Sequence, residues 1–233
     1  MIKKTTLLLA LSLTLPFMAQ AQEATIRKNL AERIPAFTQI DEVTQTPMPG
    51  LFEVRVGNEV LYTDAEGNYL LQGSLLDTRN RKNLTDERIE KLTAINFKDL
   101  NLKNAFTITR GNGKRQLAVF EDPNCGYCKR FEKDLQKINN VTVHLFLIPI
   151  LGADSEDKSR NIWCAKDKAK AWNDWMLNDS LPKAASCNTD ALTANLEFAK
   201  KYRITGTPTL VFEDGTRVPG AINAQQVEKL LTR

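Results

Sequence analysis

The sequence predicts an α+β chain in which a small antiparallel unit is followed by a larger central sheet covered by helices. Two observations carry this. Short strand-like runs separated by Gly and Asn fill residues 51–72, whereas from residue 104 onward strand patterns alternate with helical ones. The 233 residues are 42% hydrophobic and 26% charged, a globular balance with room for one or two domains.

The chain starts with Lys3-Lys4, an apolar run over residues 7–18, and the small-x-small site Ala19-Gln20-Ala21. This is the pattern of a secretory leader, residues 1–21, with cleavage expected after Ala21. The run is too short to span about 30 Å of hydrocarbon. No later stretch is long and apolar enough to do so, and no membrane insertion is expected. Loss of the two lysines takes the formal charge from +4 to +2, which gives no electrostatic case for nucleic-acid binding.

Residues 24–34 read as an amphipathic helix ended by Pro35, with Ile26, Leu30 and Ile34 at spacings of four. After Pro47-Met48-Pro49-Gly50 come the strand-like runs 51–56, 60–64 and 69–72, a meander of hairpins. Residues 22–83 thus form an N-terminal unit. Its core is marginal alone, so a partner or a dimer is expected. A polar stretch precedes a helical pattern from Thr85, read as its N-cap, to about Phe97. Residues 84–100 are read as a linker helix. The alternative is an ordinary helix packed within one larger domain.

Residues 101–233 form the second unit. The runs 105–109 and 116–120 flank Gly111-Asn112-Gly113 and read as a hairpin. Cys125-Gly126-Tyr127-Cys128 opens a helix with Asn124 as its expected cap, and Phe131, Leu135 and Ile138 continue its apolar stripe. Residues 141–148 read as a strand buried on both faces. Residues 154–202 are largely helical, with a break near Leu181-Pro182. The run 204–212 returns as strand, Glu213-Asp214-Gly215 turns it, and Asn223 with Gln226 forms a capping box for the last helix.

The chemistry lies in Cys125 and Cys128. Free N–H groups and the positive helix end stabilise a thiolate on Cys125. Cys128 starts the apolar stripe and is the more buried. Cys125 is therefore the attacking thiol, and Cys128 resolves the mixed disulfide. Zinc is the first alternative, disfavoured because four ligands are needed and Cys164 and Cys187 make no second close pair. An inert structural disulfide is the second. In an exported chain Cys164 and Cys187 are expected to pair structurally, worth about 3 kcal/mol in the loop-entropy model. Pro208 inside a strand-like run is either an edge feature or a cis-proline loop beside the dithiol. His144 reads as a packed core residue, Trp163, Trp172 and Trp175 as core or an apolar patch. Glu121 and Asp122 are assigned no proton-transfer role.

The Cys-Gly-Tyr-Cys motif at a strand–helix junction, followed by Gly206-Thr207-Pro208 before a final hairpin and helix, resembles the thioredoxin fold. Together with Ile162-Trp163-Cys164-Ala165-Lys166-Asp167-Lys168, Cys187 and Val218-Pro219-Gly220, the mature chain resembles the DsbC/DsbG family of periplasmic thiol:disulfide interchange proteins. The resemblance implies a cystatin-like N-terminal dimerisation domain, a linker helix, and a thioredoxin-like domain with a helical insertion. It implies a periplasmic homodimer that reduces and reshuffles wrong disulfides in exported proteins and binds misfolded chains. No metal or organic cofactor is implied, and the membrane reductant DsbD is the implied electron donor. Thr207 and Pro208, with Gly126 and Tyr127, are the implied substrate-binding residues, and Cys164–Cys187 the implied structural disulfide. The rival activities are a DsbG-like sulfenic-acid or thiol reductase, against which Gly126 speaks, and a binding-only holdase.

Overall fold

The computed structural model describes residues 15–232, with side chains from residue 20. Most of the expected leader lies outside the described residues. The chain divides into two compact units between Leu92 and Thr93.

In the first unit, helix α1 (Leu15–Arg33) runs without a break through Ala21 and ends before Pro35. It packs Ile26 and Leu30 on a four-stranded antiparallel meander of β1 (Glu42–Gln45), β2 (Phe52–Val56), β3 (Glu59–Thr63) and β4 (Leu70–Leu71). Val43, Phe52, Val54 and Leu61 complete that core. The β1 strand was not visible as a strand pattern, because only Val43 on it is buried. The polar stretch before the second helix is a small hairpin, β5 (Leu76–Asp77) with β6 (Lys82–Asn83).

Helix α2 (Leu84–Thr93) is shorter than expected, and its cap is different. Asn83 accepts from the Asp86 N–H at 3.2 Å, in the role expected of Thr85. Thr85 is buried instead, bonded to the Tyr62 hydroxyl and, at 2.8 Å, to the Leu75 N–H. Arg88 pairs with Glu42 and Glu53 and holds α2 to the first unit's sheet. The expected linker helix over 84–100 therefore splits. Past α2 the chain forms short 3-10 turns, and Ile95 and Leu100 are buried in the second unit's core.

The second unit is a five-stranded mixed sheet in the order β11–β10–β8–β9–β7. Its elements are β7 (Phe106–Arg110), β8 (Arg115–Glu121), α3 (Gly126–Leu135), β9 (Val141–Leu147), α4 (Ala153–Trp163), α5 (Lys168–Asn178), α6 (Asp190–Lys201), β10 (Thr209–Phe212), β11 (Arg217–Pro219) and α7 (Ala224–Leu230). The expected hairpin of β7 with β8 does not form. Strand β9 lies between them, parallel to β8 and antiparallel to β7. The intervening turn is occupied by the chain leading into β9. A Cβ on Gly111, at φ +58, would lie 2.3 Å from the Asn139 side chain, so only glycine fits.

Alternation along β8 sorts the two faces. Leu117 and Val119 meet α3 and α7 through Phe131, Leu135 and Val227, while Ala118 and Phe120 meet α6 through Ala199. Glu121 continues the face of Leu117 and Val119. Three helices, α4 to α6, fill the chain between β9 and β10. The capping box at Asn223 and Gln226 is present.

Candidate active site: a dithiol at a helix start

Strand β8 delivers the chain to the start of α3, and Asp122 shapes the turn between them. Fully buried, its carboxylate accepts from the N–H groups of Asn124 (2.7 Å), Ile150 (2.8 Å) and Leu151 (3.0 Å) and from the Ser155 hydroxyl (2.7 Å). Its role is to hold the cysteine loop and the start of the helical insertion together.

Cys125, rather than Asn124, caps α3. Its sulfur accepts from the Cys128 N–H at 3.2 Å. The Asn124 side chain turns outward to Asp154 and Lys158. The sequence pointed to Asn because Asn is a strong cap former. A sulfur takes that place because the helix starts one residue later.

Both thiols are free and buried, Cys125 5% exposed and Cys128 not at all. The Cys125 thiol is lowered to about 6, first by its hydrogen bond with the Cys128 thiol, which outweighs burial; Thr207 and the N–H groups of Cys128 and Tyr127 add to it. Burial and the Cys125 sulfur drive the Cys128 thiol far up. The two cysteines are thus separated in acidity: one is a thiolate at neutral pH, the other holds its proton.

The other expected site residues fall as follows. The Cys125 sulfur lies 3.2 Å from the Thr207 carbonyl oxygen, and the Thr207–Pro208 peptide is cis. Gly126 and Tyr127 form the first turn of α3. A Cβ on Gly126 would meet nothing within 4 Å, and Tyr127 is 68% exposed. Cys164 and Cys187 are joined as a disulfide with Cα atoms 5.4 Å apart. His144 is buried, with Nε2 2.7 Å from Gln116 Oε1, and burial lowers its pKa.

Several neighbours of the site were not foreseen. Trp175 of α5 donates from Nε1 to the Pro123 carbonyl at 2.6 Å, and the ammonium groups of Lys129 and Lys158 lie over its ring. Trp172 donates from Nε1 to Glu132 at 2.8 Å. Glu132 is fully buried on α3, and burial raises its pKa. The signal was its position four residues after Cys128 on the apolar stripe, where a carboxylate breaks the pattern.

A low-pKa cysteine at a helix start, a buried partner three residues on, and a cis-proline loop against the first sulfur define a thioredoxin-like thiol–disulfide oxidoreductase. Comparison with known proteins agrees for both units. Residues 102–233 match the thioredoxin-like domain family, and residues 17–86 match the disulfide bond isomerase protein N-terminal domain. The probable thiol:disulfide interchange protein DsbC of Bordetella pertussis is 40% identical over 210 residues, covering 90% of this chain and 74% of that protein. DsbC of Escherichia coli is 29% identical over 236 residues, covering 98% and 95%. The crystal structure of a disulfide interchange protein from Neisseria gonorrhoeae superposes with a TM-score of 0.55 at 37% identity, over 57% of this chain and 96% of that one. The chain belongs to the DsbC family of thiol:disulfide interchange proteins. Among the described residues no helix is long and apolar enough to cross a membrane.

Proposed function

We propose that this protein is a periplasmic disulfide isomerase acting on wrongly paired exported proteins. The observation that carries the reading is the split acidity of Cys125 and Cys128 at one helix start. The Cys125 thiolate attacks a substrate disulfide. A Cys125–substrate bond forms, the substrate disulfide breaks, and one substrate sulfur leaves as a thiolate. A different substrate thiolate then attacks the mixed disulfide and releases Cys125, which is isomerisation with no net redox change. Alternatively Cys128 displaces the substrate, which leaves it reduced and the enzyme oxidised. DsbD, in this reading, returns the two electrons.

Thr207 and Pro208 hold substrate backbone beside Cys125, since the Thr207 carbonyl lies within hydrogen-bond distance of the attacking sulfur. Gly126 leaves room for that chain, and Tyr127 offers it an exposed ring. Cys164–Cys187 staples the insertion. The N-terminal unit dimerises, and the dimer binds misfolded chains. The leader directs export and is cleaved after Ala21.

The test is reactivation of a scrambled, fully oxidised multi-disulfide protein in mildly reducing glutathione buffer. Recovery above the buffer background with the wild type, and none with Cys125→Ser, is expected. Equal recovery with both would remove isomerisation from this protein.

A further inference from the structure

The run Trp163-Cys164-Ala165-Lys166-Asp167-Lys168 joins α4 to α5, and the exchange chemistry above uses none of its side chains. This junction faces the first residues of β7 across an open groove of about 880 Å³. Leu102 and Lys103 line the groove beside β7, and Trp163, Lys166, Asp167 and Lys168 line it from the junction. All of them belong to the second unit.

The groove is cationic. Asp167 is its single carboxylate, and Oδ1 of Asp167 accepts from the Lys170 N–H at 2.9 Å as the cap of α5. Elsewhere on the insertion lysines find carboxylates: Lys158 pairs with Asp154 and Lys170 with Asp174. Among the described residues no ion pair takes up Lys103, Lys166 or Lys168. The Lys168 ammonium lies 5.1 Å from the centroid of the Trp163 ring, whose Nε1 donates to the Asn188 carbonyl at 3.2 Å. The exposed Leu102 adds apolar surface.

The groove also opens onto a sheet edge. Strand β7 is the last in its sheet, with β9 as its one neighbour, and all five of its residues pair without a bulge. In an antiparallel pair every second residue turns its N–H and C=O away from the partner strand. Such edges are commonly blunted by Lys, Pro or a bulge. Phe106-Thr107-Ile108-Thr109-Arg110 has none of these, and Arg110 turns its guanidinium to the Leu135 carbonyl at 2.6 Å. Thr107 and Thr109 are exposed.

We propose that this groove docks an extended acidic segment of a client protein, added as a strand to β7 with its carboxylates against Lys103, Lys166 and Lys168. The inference deepens the reading of the protein as a binder of misfolded chains. Main-chain pairing accepts many sequences, and the lysines select charge. Helix α4 links the groove to the dithiol. The Ser155 hydroxyl at its start bonds Asp122 of the cysteine loop, and Trp163 at its end lines the groove. The 11 residues of α4 span about 16 Å. About five extended residues of client cover that distance. A docked segment thus keeps client cysteines near Cys125 between one exchange and the next, as a second linked contact.

The test titrates the mature chain into a rhodamine-labelled, cysteine-free peptide of alternating glutamate and valine, followed by anisotropy. The same peptide with lysine in place of glutamate runs beside it. The glutamate peptide is expected to bind, more weakly as salt rises, and the lysine peptide not to bind. Lys103→Gln, Lys166→Gln and Lys168→Gln together should weaken binding about tenfold, as loss of three exposed ion pairs would. None of the three lysines belongs to the dithiol site, so unchanged alkylation of Cys125 shows that the variant is folded. In the wild type, hydrogen exchange over residues 106–110 should slow when the peptide saturates, a readout that needs no variant. Equal binding of the two peptides, wild-type affinity in the triple variant, or no protection of residues 106–110 overturns the proposal. Protection that rises with protein concentration in the absence of peptide gives the edge to a second copy of the chain and overturns it too. The peptide carries no cysteine, so failure here leaves isomerisation standing, and the reactivation assay tests that separately.

Discussion

At the scale of single residues, the site depends on what surrounds two sulfur atoms. The fall of Cys125 to about 6 comes first from the Cys128 thiol. Alkylation of Cys125 by iodoacetamide should therefore rise with pH through a midpoint near 6 and be flat above neutrality. An ordinary cysteine, near 8.5, would still be gaining reactivity there. Cys128→Ala removes the largest cause and should move the midpoint upward. A midpoint unmoved by that substitution would assign the effect to the helix start alone. The two cysteines and their order of burial were legible in the sequence, because spacing and the apolar stripe give both. The cap was not, since Asn124 and Cys125 both fit that position and the choice lies in where the helix begins. The roles of Glu132 and Trp172 were also hidden. They lie 40 residues apart, and only the packing of α5 on α3 makes them neighbours.

At the scale of elements, α4 and α5 belong to the active site as much as α3 does. Asp122 ties the cysteine loop to the start of α4, and Trp175 ties α5 to Pro123. The Cys164–Cys187 disulfide lies beyond these contacts and bridges the end of α4 to the segment before α6. Replacing both cysteines by Ala should lower stability by about 2–4 kcal/mol, read as a lower urea midpoint of the reduced-site protein. An unchanged midpoint would show that the unfolded chain is not constrained by this bond. Most helices and strands were legible from their periodicity. The β7–β8 relation was not. Two strand patterns around a Gly-Asn-Gly turn look the same whether they pair or admit a third strand, and β9 lies far along the chain. The short β5–β6 hairpin was missed because two-residue strands with exposed side chains carry no pattern.

At the scale of the whole molecule, the division at Leu92–Thr93 places residues 93–100 with the catalytic unit. Ile95 is fully buried there, and its N–H donates to the Gly215 carbonyl at 3.1 Å. A fragment of residues 93–233 should therefore be more stable than one of residues 101–233, by about 2–4 kcal/mol for the lost Ile95 side chain alone. Urea unfolding of the two fragments measures this. Equal stabilities would return those residues to a linker. The longer fragment should also elute as a monomer where the mature chain elutes as a dimer, while keeping a reactive Cys125. A dimeric fragment would contradict the assignment of dimerisation to the N-terminal unit. Two units could be read from composition and period alone. Their exact frontier could not, because a short amphipathic helix followed by apolar residues does not reveal which core takes each side chain.

The interposed strand β9 also bears on how the chain is made. Strands β7 and β8 leave the ribosome one after the other with no shared hydrogen bonds to form. Their common partner ends at Leu147, well after both. Until then a nascent chain holds both strands without their common partner, together with two cysteines on a turn that Ile150, Leu151 and Ser155 complete. A truncated product that stops between Cys128 and Ser155 would carry the whole dithiol motif without the contacts that close its turn.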